Sequence, residues 1–549
     1  MSHFSNCRET RKQQYRKAGY WGDATLLDYW KMSVLRFPDK DAVMDNHGCS
    51  YTYAELDDVS GRVASYLVQT GVKSGDFVSF QLPNWSEFVA VYIACMKVGA
   101  VANPIITNYR LCELEYMLNK CESKVLFIPS FFRKFDFAEM TVPLKEKVAS
   151  LKSVVVVEKD ESDLSAAVTL NGIIRDFEPF TEQVKCAADD LAAVLFTSGT
   201  ECMPKGVMLT HNNIIACENA FNITFNISHY DTILMPAPIA HATGFLHGVT
   251  SPFMVGGKAV LQDVFLPEES VALMKEHECT YMMGATTFIH SIFDSCAWQQ
   301  GKPSSLRFLL CGGAPIPYVM AQNAQAMGVK LISVYGATES APHTATRPEE
   351  CIEKIVNTDG APLRGIEVKV VDCEGNTLGA GEQGEEVSRG PNVFVGYLKE
   401  PELTRHVLDE DGWYYSGDLC VMDEEGYIRI TGRKKDVIIR GGENISSAEI
   451  ENLMLEMPEV GEVAAVSMPD QRLGEKVCVY VVLKKGAAGL CFDDVVGFFD
   501  GKKVAKFKYP ERLEVVDKLP RTASGKIKKV LLREDIRSKL EGQKECAHA

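Results

Sequence analysis

The sequence has no uninterrupted apolar run long enough to cross a bilayer, and its first residues, Met1 to Lys17, are polar and lack the apolar segment of a secretion signal. It has no CxxC pair among its 17 cysteines, whose odd number and scatter exclude the disulfide framework of a small secreted domain. It has no surplus of basic charge: the formal net charge is −16, whereas a nucleic-acid binder usually carries a basic face. Internal repeats and low-complexity tracts are also missing. These absences leave a protein of the reducing cytoplasm with no transmembrane segment and no nucleic-acid partner; peripheral membrane contact and a homodimer stay open. At 549 residues the chain exceeds a single core of the usual size, so at least two domains are expected.

What is present is an alternation of short apolar runs and helical patterns. Tyr51-Thr52-Tyr53 reads as a short strand before an amphipathic helix through Leu67, then come Asp76–Phe80 as a strand, Glu87–Lys97 as a helix and Gly99–Pro104 as a turn. Further strands fall at Thr232–Met235, Ala259–Leu261, Thr280–Met283, Leu306–Cys311 and Leu331–Val334. This rhythm predicts an α/β fold of layered, largely parallel sheets. Small-residue turns follow three of the strands directly: Gly284-Ala285-Thr286-Thr287, Gly312-Gly313-Ala314-Pro315 and Tyr335-Gly336-Ala337-Thr338-Glu339. In open α/β sheets the ligand crevice lies outside the carboxyl ends of the strands, so these turns are candidates for one shared site.

From about Ile352 the pattern changes to short strands and turns, Val368–Val371, Gly381–Glu386 and Asn392–Tyr397, which predict a small antiparallel β subdomain. Beyond Gly432-Arg433-Lys434-Lys435-Asp436 a compact α/β pattern begins, with a helix near Ser447–Leu455 and strands at Val463–Ser467, Val477–Leu483 and Leu513–Val516. The expected division is 1–434 for a large N-terminal domain and 435–549 for a small C-terminal one.

The stretch Thr197-Ser198-Gly199-Thr200-Glu201-Cys202-Met203-Pro204-Lys205-Gly206 joins the apolar runs Ala192–Phe196 and Val207–Leu209, with Thr210 as the cap of a following helix. Hydroxyls, backbone N–H groups freed at glycines and one lysine can together surround a polyphosphate. It is not the P-loop of nucleotide triphosphatases, which needs Gly before the Lys and Ser or Thr after it, where this chain has Pro204 and Gly206. On its own residues the stretch is equally a surface turn without a ligand.

Taken together, the motifs resemble those of the adenylate-forming superfamily of acyl-CoA synthetases, luciferases and peptide-synthetase adenylation domains, over nearly the whole chain. Thr197–Gly206 is similar to its phosphate loop, Tyr335–Glu339 to its magnesium and nucleotide motif, Tyr415-Ser416-Gly417-Asp418 to its ribose motif, Gly432–Asp436 to its hinge, and Pro520-Arg521-Thr522-Ala523-Ser524-Gly525-Lys526 to its catalytic-lysine loop. Met235–Pro238, His241–Gly248 and Arg440–Ser447 resemble bacterial fatty acyl-CoA ligases of short-to-medium chain preference most closely. Ligases of cyclohexanecarboxylate or carnitine-type acids share much of this pattern, and a non-catalytic acyl or nucleotide binder of the same fold is the alternative from another class.

The resemblance implies a carboxylic acid, ATP and CoA as substrates, with Mg²⁺. The acid attacks the α-phosphate of ATP, pyrophosphate leaves, and the acyl-adenylate is then open to the CoA thiol. Thr197, Ser198, Gly199, Thr200 and Lys205 are implied at the β- and γ-phosphates, Thr338 at the α-phosphate, and Glu339 at the metal, which accepts one or two carboxylates beside phosphate oxygens. Tyr335, Gly336 and the Gly313-Ala314-Pro315 backbone are implied around adenine, and Asp418 with Arg433 at the ribose. Lys526 is implied to bridge the acid and the α-phosphate after domain closure about Lys435, and Gly442 to leave room for pantetheine. His241 takes the family's gate position beside the reacting carboxylate. Phe245, Gly284, Ala285, Thr286, Gly312 and Ala337 are implied along the acyl channel; they carry no charge, which suits a neutral aliphatic or alicyclic tail. Arg440 or residues among Lys502–Lys508 are candidates for the CoA phosphates. Glu201-Cys202 departs from the family's usual Thr-Gly, and Ala240 from its usual aromatic residue.

Overall fold

The computed structural model describes residues 2–158, 168–182, 184–197, 204–440, 443–470, 473–487, 489–502, 506–522 and 525–548, with side chains except at 2–8, 435, 443–444 and 542–548. These residues form two compact units, one holding 2–197, 204–368 and 388–414, the other 369–387 and the chain from 415 onward. The chain leaves and re-enters the larger unit inside the small β region.

The larger unit contains two sheets. In the first, the strands run in the order Ala361–Pro362, Ser340–Ala345, Lys330–Ala337, Phe308–Gly312, Tyr281–Ala285, Thr232–Met235, Lys258–Leu261, Asp41–Asp45 and Ser50–Thr52. The strands from Lys330–Ala337 to Asp41–Asp45 are all mutually parallel, and the outer pairs are antiparallel. Both faces of the parallel part are covered, which explains why the middles of its strands are apolar and do not alternate: Leu234, Met282, Leu309 and Ile332 have no exposed surface. The second sheet runs Gly396–Tyr397, Lys205–Thr210, Leu191–Thr197, Val101–Pro104, Phe77–Phe80, Val125–Pro129, Ser153–Val157 and Val168–Thr169. The layered α/β expectation therefore holds.

Two local expectations do not. Gly99–Pro104 is not a turn throughout. Gly99 caps the helix Ser86–Val98 in the left-handed region (φ 68°), and Val101–Pro104 is a buried strand parallel to Phe77–Phe80. Asn103 and Pro104, which read as turn residues, lie in this strand; the Asn103 amide nitrogen donates to Ser79 Oγ at 2.8 Å, while its oxygen is buried without a partner among the described residues. Nor does Asn392–Tyr397 belong to the small antiparallel sheet, which consists of Glu367–Val371, Gln383–Arg389, Tyr414–Met422 and Ile428–Arg433. Gly396–Tyr397 instead pairs antiparallel with Lys205–Thr210, Val207 facing Tyr397. Two residues are too short to show any period, so the pattern could not say which sheet takes them.

The smaller unit adds a second sheet around the long hairpin Val460–Asp470 and Gly474–Leu483, with Arg512–Val515 parallel to its second strand. Ile438, Ile450, Val479 and Phe499 pack together on one face of that sheet and Ala464, Tyr480 and Ile536 on the other.

The helix His211–Phe225 leaves the hairpin of the second sheet through a reciprocal cap: Thr210 Oγ1 accepts from the Asn213 N–H at 3.1 Å, and Asn213 Oδ1 accepts from the Thr210 N–H at 3.1 Å. The next residue ties this helix to another, since His211 Nδ1 accepts from the Leu26 N–H at 3.3 Å in a buried setting. Burial depresses His211 to about 4, so the folded protein holds it neutral while the unfolded chain, near 6.5, still binds a proton. The unfolded state therefore binds more protons between these values, and stability falls as pH drops through that window by about 3 kcal/mol at most. Denaturant midpoints measured from pH 7 to 4 are expected to fall less steeply for His211→Gln than for wild type; parallel slopes would show that His211 is not the group responsible.

Candidate active site

The phosphate-gripping stretch sits where two strands turn back on each other. Leu191–Thr197 and Lys205–Thr210 pair antiparallel with Thr197 opposite Lys205, so the first hydroxyl and the lysine of the motif are cross-strand neighbours at the end of the hairpin where the two strands are joined. Ser198, Gly199 and Thr200, together with Glu201-Cys202, lie outside the described residues. Lys205 is half-buried, and its Nζ stands 5.5 Å from the centroid of the Tyr397 ring. That distance and a buried ring suit a cation–π contact.

Tyr397 also reaches the magnesium motif. Its hydroxyl donates to Glu339 Oε1 at 2.7 Å, and the Phe394 N–H donates to the Glu339 backbone oxygen at 2.9 Å. Glu339 is 8% exposed and Tyr397 5%. Burial first, and the neighbouring Glu339 second, push the phenol far above its ordinary range, so it is a permanent donor to the carboxylate. The edge of Phe394 holds the ring in place at 5.0 Å between centroids. Tyr397 belongs to none of the sequence motifs, and only its pairing with Lys205–Thr210 brings it here.

The three small-residue turns converge. Gly284 lies beside Cys311, Ala285 beside Gly312, and Gly312 beside Val334 in consecutive parallel strands, so the ends that carry Thr286, Gly313-Ala314-Pro315 and Tyr335–Glu339 share one edge of the first sheet. Gly313 turns out of its strand at φ 84°, where a side chain would be strained. Tyr335 is half-buried and meets His343 edge-on at 4.8 Å; Gly336 is exposed, and Ala337 and Thr338 are half-buried. The three strand ends that the sequence offers as one shared site thus lie side by side at one edge of the first sheet.

His241 lies before a π-helical segment, Thr243–Thr250. Its carbonyl accepts from the Phe245 N–H at 2.8 Å and its Nδ1 from the Thr243 N–H at 3.4 Å, which fixes the ring against its own helix start. Gly244 is required there, since a Cβ would lie 2.4 Å from the Pro238 carbonyl oxygen. Phe245 is fully buried against Tyr92, ring centroids 4.4 Å apart. Behind this segment lies a buried polar pair that the sequence did not signal: His247 Nδ1 and Glu218 Oε2 are 3.1 Å apart, and Phe221 stacks on His247 at 4.3 Å. Glu218 also accepts from the thiol of Cys217, whose acidity burial suppresses strongly. Ile214, Cys217, Leu246, Thr338 and Ala341 surround a gap too tight for a water molecule, where the magnesium motif packs against the helix His211–Phe225.

In the smaller unit, Asp418 and Arg433 face each other across the pair Tyr414–Met422 and Ile428–Arg433, with Arg433 Nε 2.9 Å from Asp418 Oδ1. Asp418 is 7% exposed. The Ser416 hydroxyl donates to the Glu386 carbonyl at 2.8 Å, which ties the neck of the ribose motif to the next strand. Lys435 lies in a single 3₁₀ turn, Lys434–Asp436, and Gly442 is outside the described residues. Lys526 is exposed on a tight loop: its backbone oxygen accepts from the Thr522 N–H at 2.7 Å and its N–H donates to Thr522 Oγ1 at 3.1 Å. Arg440 donates to both carboxylate oxygens of Glu511, from Nε at 3.0 Å and from Nη2 at 2.9 Å.

Residues 30–398 match the AMP-binding enzyme family, and residues 449–526 match the AMP-binding enzyme C-terminal domain. The chain is 50% identical over 532 residues to the medium-chain fatty-acid–CoA ligase of Escherichia coli K12, covering 97% of this chain and 94% of that one. It is 32% identical over 504 residues to a feruloyl-CoA synthase of Amycolatopsis, covering 92% and 97%. Among solved structures it is similar to ATP-bound MatB from Rhodopseudomonas palustris, with a TM-score of 0.84 and 30% identity over 93% of this chain and 98% of that one. The motifs, the converging strand ends and these matches agree, and the chain belongs to the AMP-binding enzyme family of adenylate-forming enzymes.

Proposed function

We propose that this protein is an ATP-dependent acid:CoA ligase acting on fatty acids of short or medium chain length. The observation that carries the reading is the placement of one carboxylate, Glu339, and one ammonium, Lys205, on two sides of Tyr397 beside the converging strand ends. A polyphosphate needs fixed cations and N–H donors, and little else of the enzyme's own covalent chemistry. The name of the Escherichia coli relative supports the choice of acid.

In this reading Lys205, Thr197 and the stretch Ser198–Thr200 hold the β- and γ-phosphates, so that pyrophosphate departs from a site already oriented. Thr338 meets the α-phosphate. Tyr335, Gly336 and Gly313-Ala314-Pro315 flank adenine, and Asp418, braced by Arg433, accepts from the ribose hydroxyls. The donor set also fits Mg²⁺, because Glu339 is a buried carboxylate with one oxygen held by Tyr397 and the second without a donor among the described residues. When bound there, Mg²⁺ supplies positive charge to the phosphate oxygens. His241 borders the reacting carboxylate, and Phe245, Gly284, Ala285, Thr286, Gly312 and Ala337 shape the path of the acyl chain. Lys526 bridges the acid and the α-phosphate during adenylation, the segment at Lys435 is the pivot, and Gly442 passes the pantetheine arm. We assign the protein to the cytoplasm from its substrates and its free thiols; among the described residues no helix is long and apolar enough to cross a membrane.

With ATP, Mg²⁺, CoA and a series of straight-chain fatty acids, the purified protein is expected to release pyrophosphate and consume CoA thiol in equal amounts, with the highest kcat/KM at short-to-medium length. Acid-dependent AMP formation without thioester would overturn the ligase reading. Lys526→Ala is expected to slow adenylation roughly 100- to 1,000-fold, as for loss of one charge-stabilising group, while preformed acyl-adenylate is still converted to thioester at close to the wild-type rate. Equal loss in both half-reactions contradicts the role given to Lys526.

A further inference from the structure

Tyr397 stands outside every motif used above, yet its side chain touches two of them. We infer that Tyr397 is a positioning residue for the metal site, its hydroxyl orienting the Glu339 carboxylate so that the free oxygen is presented to a divalent cation. This rests on the reading in which Glu339 holds Mg²⁺.

The geometry separates this role from simple packing. Glu339 is buried, and a buried carboxylate needs hydrogen-bond donors to offset its lost hydration. Those donors differ in what they leave behind. A lysine or arginine would pair with the charge and compete with the cation, and none among the described residues bridges Glu339. A phenol satisfies one oxygen at 2.7 Å and leaves the full negative charge in place. The same short segment grips the backbone, the Phe394 N–H donating to the Glu339 carbonyl at 2.9 Å. Residues 394–397 therefore fix both ends of the ligand residue.

The hydroxyl is itself held. Tyr397 pairs with Val207 across the strands, Phe394 packs on its ring, and the Thr404 hydroxyl accepts from its N–H at 2.9 Å. Orientation matters because Mg²⁺ demands near-octahedral geometry, so a carboxylate free to rotate binds it less well. Groups that orient metal ligands in this way typically change metal affinity 10- to 100-fold when removed.

Tyr397→Phe deletes the hydroxyl and keeps the ring. The test is the dissociation constant of α,β-methylene-ATP, measured calorimetrically with and without Mg²⁺, for wild type, Tyr397→Phe, Glu339→Gln and Phe394→Leu. The ratio of the two constants reports the metal's contribution without turnover. Tyr397→Phe is expected to reduce that ratio roughly tenfold with the metal-free constant unchanged, and to raise the Mg²⁺ concentration for half-maximal pyrophosphate release by a similar factor while the acid KM stays constant. Glu339→Gln is expected to remove the metal's contribution. Phe394→Leu trims the packing around the ring and leaves the hydroxyl, so it should lower the melting temperature and keep the wild-type ratio. A wild-type ratio in Tyr397→Phe, with the contribution lost in Glu339→Gln, overturns the positioning role and leaves the metal reading standing. A wild-type ratio in Glu339→Gln overturns the metal reading. A ratio reduced equally in Phe394→Leu and Tyr397→Phe shows packing and overturns the inference.

Discussion

The register of three parallel strands sets the geometry on which the larger unit's site depends. Tyr281–Ala285, Phe308–Gly312 and Lys330–Ala337 bury mostly apolar residues on both faces, and in a sheet covered on both sides a slip of one residue would turn every side chain to the opposite layer. Burial thus locks Gly284 beside Cys311 and Gly312 beside Val334. The residues that follow each strand are small because they stand where the helices no longer cover the sheet, and their backbones can approach a ligand closely. A crevice at this edge is a consequence of packing, and only the residues set into it decide its chemistry.

The second sheet adds charge to that edge through an aromatic intermediary. Lys205 and Val207 lie on one face of their strand, and Tyr397 lies opposite Val207, so the ring comes within 5.5 Å of the lysine while its hydroxyl reaches Glu339. Had the lysine and the carboxylate met directly, they would have satisfied each other and presented little field to a phosphate or a metal. Keeping a tyrosine between them preserves both charges for ligands of opposite sign. The buried Glu218 and His247 follow the opposite logic: they meet at 3.1 Å and satisfy each other within the core.

Sequence patterns carried those parts of the structure in which a residue's neighbours along the chain determine its state. The parallel strands were legible because they are continuous apolar runs, and the cap at Thr210 because its partner Asn213 is three residues away. Motif order and spacing carried Asp418 with Arg433, which the pairing of adjacent strands does bring together. What stayed hidden depends on pairing between distant segments. Val101–Pro104 looks like a turn until Phe77–Phe80 and Leu191–Thr197 flank it. Gly396–Tyr397 has no periodicity of its own and acquires meaning only against Val207 and Met208. The pairing of Glu218 with His247 is equally hidden, because the two lie on different segments and neither shows in sequence that the other will cover it.

The same reasoning narrows how an acidic protein can handle polyanions. Three of the cations in the smaller unit that the sequence offers for CoA phosphates are paired with glutamates: Arg440 with Glu511, Lys508 with Glu449 and Lys502 with Glu456. Such pairs at a protein surface contribute little, about 0–1 kcal/mol, because water and salt screen them. A phosphate that replaced the carboxylate would meet a side chain already extended and ordered, so the exchange would cost little in side-chain entropy. Arg440 holds Glu511 through Nε and one Nη, and that bidentate geometry would equally fit a phosphate. Pairing with a nearby glutamate therefore does not remove a cation from the list of phosphate ligands; it keeps a basic side chain in position on a chain whose net charge is −16 and which would otherwise attract polyanions weakly.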